Sequence, residues 1–389
     1  MFFDPIMIAL ARKRSGGSGG STGGGGSTGV KAKDVNFYDY DGTLLHSYTV
    51  AEAQKLTELP ALPEQKGLIC QGWNWSLEDI KAHNRALNIG AMYITDDGTT
   101  RLYIHLEEGR TSPMVSARIN GTMTVDWGDG TEPDVLKGKG LYANIETPNH
   151  EYAKPGDYVI RIAVDGEMLF AGSATTNGGS ELLCNTQDYD FQNIEYSNAI
   201  RRVEIGNGVT YLDNYCFAHC GSLESVTIPQ TVTSFKSQLL YKCAKLKYIT
   251  IPCGVSSLSN SFCESFLQIV GFPNKITAIP TNVCGKSSYL RSVTFGNNVT
   301  KINSSAFGEC SLLKYVTLPG TVTSVDGFYG CGGVRFYDFT RHTAVPTLLS
   351  SSTFTGIAAD CEIRVPAALY DEWIAATNWS NYASNIVAV

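Results

Sequence analysis

A sequence period of about 23 residues dominates the second half of this chain. Six stretches begin with the same three-residue pattern, in which the first and third residues are apolar. They begin at Val203, Val226, Ile249, Val270, Val293 and Val316. All the steps between these openings are equal except that from Ile249 to Val270, which is slightly shorter. Such self-similarity is typical of a solenoid, in which each repeat is one coil with a short strand. The period predicts a stack that offers an extended surface rather than a catalytic pocket.

A second pattern closes most coils. Phe217-x-x-Cys220-x-x-Leu223 recurs with the same spacing around Cys243, Cys310 and Cys331. One coil cannot bury its own apolar side, so we expect stacked coils to share one continuous core. The fourth coil has Ser287 at the cysteine position, and the shorter third coil places Glu264 near it.

The phrase Val226-Thr-Ile-Pro, followed by a Cys-x-x-Leu closure, resembles the BspA-type leucine-rich repeat of bacterial surface antigens. The resemblance covers roughly 195–340. It implies a curved solenoid of the kind found in adhesins, surface proteins and phage-encoded proteins. It implies no catalytic activity.

Composition excludes several classes of protein. The 389 residues allow about two to four domains, and no apolar run is long enough for a membrane span. Residues 1–194 hold 16 Lys/Arg against 25 Asp/Glu, and residues 195–389 hold 14 against 12, so the halves carry −9 and +2. We therefore expect no nucleic-acid partner. The six histidines are scattered, and we expect no metal and no cofactor.

Eleven cysteines allow two interpretations. Most occupy repeat positions, where cysteine acts as a small buried hydrophobe. The alternative is a set of structural disulfides in a secreted protein. The first residues place their charges after the apolar ones, unlike a secretory signal, so we expect folding in a cytoplasm.

The domain order begins with residues 1–33, an anchor peptide followed by a tether of Gly, Ser and Thr. The alternative is an unstructured tail. The peptide's candidate residues for docking on a virion protein are Phe2, Phe3, Ile6, Ile8 and Leu10.

Residues 34–113 predict a small α+β domain. Thr49 and Ser76 begin helices, each with an acidic residue three positions later, and Gly90 is expected to end the second helix. The segments 91–95 and 100–106 predict a hairpin.

Residues 114–194 alternate like an antiparallel β-sandwich. The phrases around Trp127-Gly-Asp-Gly-Thr and His150-x-Tyr152-x-x-Pro-Gly-x-Tyr158 resemble the polycystic-kidney-disease (PKD) domain. That resemblance implies a spacer or adhesion module. A plain acidic loop at Asp126 and Asp129 is favoured over a calcium site.

Residues 195–340 form the predicted solenoid, and residues 341–389 are expected to cap its last coil with Trp373 and Leu369 on one helix face. The fold class is therefore multi-domain and mainly β. It combines a small α+β domain, a PKD-like sandwich and a leucine-rich-repeat solenoid with a C-terminal cap.

The phrase Phe37-Tyr-Asp39-Tyr-Asp41-Gly-Thr resembles the first motif of haloacid-dehalogenase phosphatases, in which the first aspartate attacks phosphorus. Asp129 and Asp134 resemble that family's late acidic motif. However, only about 85 residues separate the two motifs, and the segment between them lacks the helical crossovers that a doubly wound sheet needs. An ordinary Asp-Gly turn is the favoured interpretation.

Strand alternation predicts which repeat residues point outward. Six coils would give a sheet about 29 Å wide, lined by hydroxyl groups and two tyrosines. The alternative is a solvated threonine ladder. The candidate ligand-binding residues are Arg202, Glu204, Ser225, Thr227, Tyr248, Thr250, Ser292, Thr294, Tyr315 and Thr317.

The domain order predicts a non-enzymatic display protein. The front resembles modular phage structural proteins, in which Gln71-Gly-Trp-Asn-Trp-Ser-like phrases precede such repeats. The first hypothesis is a virion-attached fibre or receptor-binding protein, located on the virion, whose repeats bind a host glycan or protein. The alternative is a BspA-like adhesin on a bacterial surface, and the remote alternative is the phosphatase. A homo-oligomer is possible in this hypothesis, but the sequence has no coiled-coil heptads that would support one.

Overall fold

The computed structural model describes residues 30–141, 146, 148–170 and 196–389. These form a mainly β protein with little helix and a C-terminal β-solenoid of about eight turns. The docking role of Phe2, Phe3, Ile6, Ile8 and Leu10 falls outside the described residues and stays a prediction.

The N-terminal unit is built on a four-stranded sheet with strand order β2-β1-β4-β3. Its strands are β1 (Val35–Tyr38), β2 (Leu44–Tyr48), β3 (Leu68–Trp73) and β4 (Leu87–Thr95). Its helices are α1 (Val50–Ala53) and α2 (Leu77–Ala82), both shorter than the sequence pattern predicts. The predicted helix starts are confirmed, because the hydroxyls of Thr49 and Ser76 accept bonds from the backbone N–H three residues on.

Two local predictions in this unit are wrong. Gly90 does not end a helix but lies inside β4. β5 (Thr100–Leu106) does not form a hairpin with β4. Both edges of β4 are already paired, in parallel with β1 and antiparallel with β3. β5 instead crosses into the next sheet.

That next sheet joins the middle of the chain to the solenoid. It contains β5, β6 (Ala117–Asp126), β7 (Asp134–Lys137) and the long strand β8 (Gly156–Phe170). β8 pairs antiparallel with β5 and β6 and in parallel with β10 (Val209–Leu212). β5 pairs antiparallel with β9 (Ile200–Glu204). These strands cover the N-terminal end of the solenoid, and one hydrophobic cluster runs from Leu102 to Ile386.

The solenoid has two sides of parallel strands. Its front side carries β9, β11 (Ser225–Thr227), β14 (Ile269–Gly271), β16 (Ser292–Thr294), β18 (Tyr315–Thr317), β20 (Phe336–Asp338), β22 (Glu362–Val365) and β23 (Ile386–Ala388). Its back side carries β10, β12 (Ser234–Phe235), β13 (Ser257–Leu258), β15 (Ala278–Ile279), β17 (Lys301–Ile302), β19 (Ser324–Val325) and β21 (Thr347–Leu348). The register follows the sequence period, since Val226 pairs with Val203 and Val270 with Val293.

The predicted shared core is confirmed. Ile228, Ile251 and Leu318 are all buried in the same cluster. The rings of Phe307, Phe328 and Phe354 stack on successive coils, with centroid separations of 5.3 and 5.9 Å.

The parallel ladder continues beyond residue 340. β20 pairs with β22, and β22 pairs with β23, in the same front register. The last coil is covered by Trp373 of α3 (Tyr370–Ala375) and by Trp379, and both indole rings lie within 5.5 Å of the Phe339 ring.

The recurring cysteine position is more than a small apolar filler. The Cys243 and Cys331 thiols lie 2.9 and 3.1 Å from the carbonyl oxygens of Phe217 and Phe307, one coil back. Ser287 takes the same position and donates to the Phe262 carbonyl at 2.7 Å. In the third coil the buried residue beside Ser287 is Ser265, rather than Glu264. Ten cysteines in the described ranges carry thiols rather than disulfides.

Candidate functional site

All ten predicted ligand-binding residues lie on the outer side of the front strands, but most of them are not exposed. Thr227, Thr250 and Thr294 expose 2%, 5% and 6% of their surface. Tyr248 and Ser225 are buried to a similar degree. The prediction that these five side chains face solvent is wrong. Their role in ligand binding stays a prediction.

The cover is the N-terminal unit, whose β4 strand crosses the front side. The Asn88 backbone N–H donates to the Thr294 hydroxyl at 3.2 Å, and its side-chain amide donates to the Ser292 hydroxyl at 3.1 Å. Gly271 has no side chain at a position where the neighbouring coils carry Thr250 and Thr294. A Cβ there would lie 2.5 Å from the Asn88 carbonyl oxygen. The backbones therefore approach closely because this coil lacks a side chain.

A second set of contacts holds the unit over Thr250 and Tyr248. The side-chain amide of Asn74 donates to the Ile251 carbonyl at 2.9 Å, while its Oδ1 accepts from the Gly90 backbone at 2.8 Å. The rings of Tyr38 and Tyr248 lie 5.2 Å apart. Sequence alternation correctly indicates the outward direction, but it carries no information about a domain that covers that side.

Glu204 and Arg202 belong to a charged junction between β5 and the first coil. Glu204 is fully buried, and its Oε2 accepts from the Tyr103 hydroxyl at 2.9 Å. Arg202 Nη2 lies 3.1 Å from Glu204 Oε1, and the guanidinium stacks 3.9 Å from the Tyr103 ring. Both residues serve the junction. Their role in ligand binding stays a prediction.

The cover ends after the coil of Thr294. Thr317 and Tyr315 are partly exposed, and the same holds for the residues that continue their two rows. We call this surface the aromatic strip. It comprises Tyr315, Thr317, Phe336, Asp338, Glu362 and Arg364.

The aromatic strip is an ordered stack of flat groups. The rings of Tyr315 and Phe336 lie 4.8 Å apart at 37°. The Arg364 guanidinium lies 3.9 Å above the Phe336 ring and is anchored by Glu362 Oε2 at 2.7 Å from its Nε and Nη2. Because strand pairing fixes all three groups, they offer a preorganised row of ring edges and guanidinium N–H groups to a sugar or to a protein side chain.

Four of these residues are absent from the sequence-predicted set: Phe336, Asp338, Glu362 and Arg364. Their signal was present, since Phe336-Tyr337-Asp338 and Glu362-Ile363-Arg364-Val365 repeat the outward–inward alternation. The step from Val316 to Tyr337 is shorter than the repeat period, and the step from Tyr337 to Ile363 is longer. A search with a fixed period therefore misses these last two strands.

Asp39 and Asp41 are accounted for by a tight turn between β1 and β2. Asp41 Oδ1 accepts from the Thr43 backbone at 2.8 Å. Asp39 is buried, and its two oxygens accept from the Tyr40 backbone and from the Gln65 side chain. β1 and β2 pair directly as antiparallel neighbours, without the helical crossover that a doubly wound phosphatase sheet needs.

Asp129 lies in the turn after β6, where it accepts from the Thr131 hydroxyl at 2.7 Å and pairs with His150 at 2.8 Å. Asp126 accepts from the Gly128 backbone at 2.9 Å. These bonds fit the interpretation of an acidic loop. The described part of the chain contains no group of three His, Cys, Asp or Glu side chains suited to a metal ion.

No helix among the described residues is both long and apolar enough to cross a membrane.

Comparison with known protein families identifies the repeats. Residues 210–335 match the family described as BspA type Leucine rich repeat region, in six copies. The chain therefore contains a BspA-type leucine-rich repeat region, as the resemblance implied. A search of curated proteins gave no match.

Three solved structures are similar to parts of this chain. The leucine-rich repeat protein TpLRR of T. pallidum is 24% identical over 36% of this chain and 75% of its own, with a TM-score of 0.33. A leucine rich cell surface protein of Faecalibacterium prausnitzii A2-165 is 22% identical over 47% and 53%, with a TM-score of 0.36. A leucine-rich repeat protein of Bacteroides ovatus ATCC 8483 is 15% identical over 64% and 82%, with a TM-score of 0.31.

Proposed function

We propose that this chain is a non-enzymatic, adhesin-like binding protein of the bacterial cell surface, and that the aromatic strip is its contact surface. The observation that carries the proposal is the Tyr315–Phe336–Arg364 stack on the uncovered part of the front side. The BspA-type repeat region supports the same class, because such repeats occur in surface proteins and adhesins.

The strip would bind through exposed ring edges, since Tyr315 and Arg364 flank the two faces of the Phe336 ring. Tyr315 and Phe336 would contact a sugar ring or an apolar side chain, while Thr317 and Asp338 lie one row away and supply polar groups. A contact of this kind needs no moving part. Its affinity would come from aromatic groups already ordered before the partner arrives.

The test compares the full-length protein with a Phe336→Ser/Tyr315→Ser variant on a glycan array and on fixed host cells. The control is Tyr289→Ser, which removes an aromatic side chain that is 43% exposed elsewhere on the solenoid. We expect the strip variant to lose at least about tenfold in binding, while the control keeps it. Equal binding by all three proteins would contradict the proposal.

A virion-attached fibre is the second candidate. It is favoured by the order of an apolar peptide (residues 1–14) and a Gly-rich segment (15–29) ahead of the described residues. In that case the PKD-like region 114–194 would act as a spacer and the strip would meet a host receptor. Deleting residues 1–14 should then abolish incorporation into phage particles, and unchanged incorporation would count against this candidate.

A further inference from the structure

A cleft of about 470 Å³ lies at the seam where the end of α2 meets the solenoid. Asn84 and Arg85 line it from the N-terminal unit, and Asn297, Thr321 and Arg341 line it from the coils. The cleft is open to solvent along the seam. The cleft is separate from the stacked rings of the aromatic strip.

Arg85 is the unusual group in this cleft. It is 7% exposed, and its Nη2 donates to the Phe295 carbonyl oxygen at 2.9 Å. Its Nε is buried and has no acceptor among the described residues. Within that same part of the chain no carboxylate forms an ion pair with Arg85. One donor of this buried guanidinium therefore has no acceptor in the described ranges, and the acceptor at Nη2 is a neutral carbonyl.

A second arginine adds to the positive charge. Arg341 is exposed, and its guanidinium donates to the carbonyl oxygen of Asn84, the residue next to Arg85. Arg341 likewise forms no ion pair with a described carboxylate. The two guanidinium groups therefore approach the same cleft from opposite sides of the seam.

The surrounding charges do not balance the pair. Burial lowers the pKa of Arg85 to about 10, and the charge of Arg341 adds to this shift, while Asp338 opposes it. Asp338 forms no ion pair within the described residues, and its Oδ1 is occupied by the backbone and hydroxyl of Thr340. Burial also lowers the pKa of His83 to about 3, so this neighbour is neutral near pH 7. The positive charges of Arg85 and Arg341 therefore face the cleft, and only the carboxylate of Asp338 partly offsets them.

We propose that this seam cleft binds an oxyanion, namely a carboxylate or sulfate group, and, resting on the adhesin-like function proposed above, that an acidic saccharide carries it. Two oxygens of a carboxylate or a sulfate group match the fork of N–H donors on a guanidinium. The side chains of Asn84, Asn297 and Thr321 line the remaining wall. Since the site takes residues from both units, the bound anion would also link the N-terminal unit to the solenoid.

The experiment uses the full-length protein and isothermal titration calorimetry at constant ionic strength. The probes are a hyaluronan tetrasaccharide with carboxylates only, a chondroitin sulfate tetrasaccharide, the neutral cellotetraose, and inorganic sulfate. The test variant is Arg341→Gln, an exposed position. The charge-matched control is Arg335→Gln, which alters an exposed arginine that does not line the cleft.

We expect saturable binding of an acidic tetrasaccharide and none of cellotetraose. Arg341→Gln should weaken that binding by about tenfold or more, because a charge-assisted hydrogen bond is lost, while Arg335→Gln should change it by less than about twofold. The proposal is overturned if neither acidic tetrasaccharide binds, including the case in which inorganic sulfate alone does. It is also overturned if both variants weaken binding equally, which would indicate nonspecific charge attraction. The Phe336→Ser/Tyr315→Ser variant should bind the same probes normally, which separates this test from that of the aromatic strip.

Discussion

Arg101 and Glu204 form an ion pair between β5 and the first coil of the solenoid, with 3.4 Å between Nη1 and Oε2. The same arginine donates to the Gly67 carbonyl at 2.9 Å and pairs with Asp97 at 2.8 Å. One side chain thus bonds the N-terminal unit, the middle sheet and the repeats. The junction depends on a buried carboxylate that needs its cations.

Replacing Arg101 with Leu should therefore destabilise the whole chain. Arg202 and the Tyr103 hydroxyl would remain beside Glu204, so the loss of one partner of this buried carboxylate should cost about 1–3 kcal/mol. Urea unfolding would measure the loss. The control is Arg161→Leu, because Arg161 and Asp126 form a half-exposed pair at 3.7 Å and such pairs contribute about 1 kcal/mol or less. Similar losses in both variants would contradict the assigned role of Arg101.

Gly90 tests the docking of the N-terminal unit. A Cβ there would overlap the Thr250 side chain and lie 2.7 Å from the Tyr248 hydroxyl. Gly90→Ala should cost about 1–3 kcal/mol and increase hydrogen exchange in β4 and in the front strands below it. Gly332→Ala is the control, since a Cβ at that position would meet only one carbonyl oxygen, at 3.3 Å. Unchanged exchange at Thr250 in the Gly90 variant would show that the cover is not held as described.

Ser287 tests the donor role of the repeating cysteine position. Its hydroxyl donates to Phe262 and also accepts from the Ser265 backbone at 3.3 Å. Ser287→Ala removes one of two donors to the Phe262 carbonyl, which keeps the Ser265 backbone N–H at 3.2 Å, and should cost about 0.5–1.5 kcal/mol. Ser287→Cys should be better tolerated, because Cys310 makes the equivalent contact with the Cys284 carbonyl at 3.1 Å. If Ala and Cys were equally stable in thermal unfolding, the position would be only an apolar filler.

The solenoid could be predicted from sequence because its information is local and repeated. Val203 and Val226 lie one repeat period apart and share one environment, and the same alternation sets the outward direction of Thr227. The cover over Thr250 could not be predicted, because it depends on Asn74 and its bond to Ile251, a residue far away in sequence. The aromatic strip was found only in part, since its last rungs depart from the fixed period.

His83 provides a prediction about pH. It is buried beside Arg85, and burial, with a smaller contribution from that positive charge, lowers the pKa of its imidazole to about 3 in the folded state. The unfolded value is about 6.5, so between these limits the unfolded chain binds a proton that the folded chain does not. The His83 contribution is fully present above about pH 6.5 and decreases as the pH falls, by at most about 1.4 kcal/mol per pH unit.

Urea unfolding at pH 7, 6, 5 and 4 would measure this dependence. Buried or paired carboxylates also lose stability in acid, so the test is the difference between the native protein and His83→Gln, with His46→Gln as the control. We expect the His83 variant to have the shallower decline between pH 6.5 and 4, and the His46 variant to follow the native curve. Parallel curves for all three proteins would mean that the seam around His83 and Arg85 admits water and protons freely. The buried positive charge argued for the cleft would then be solvated rather than in need of an anion.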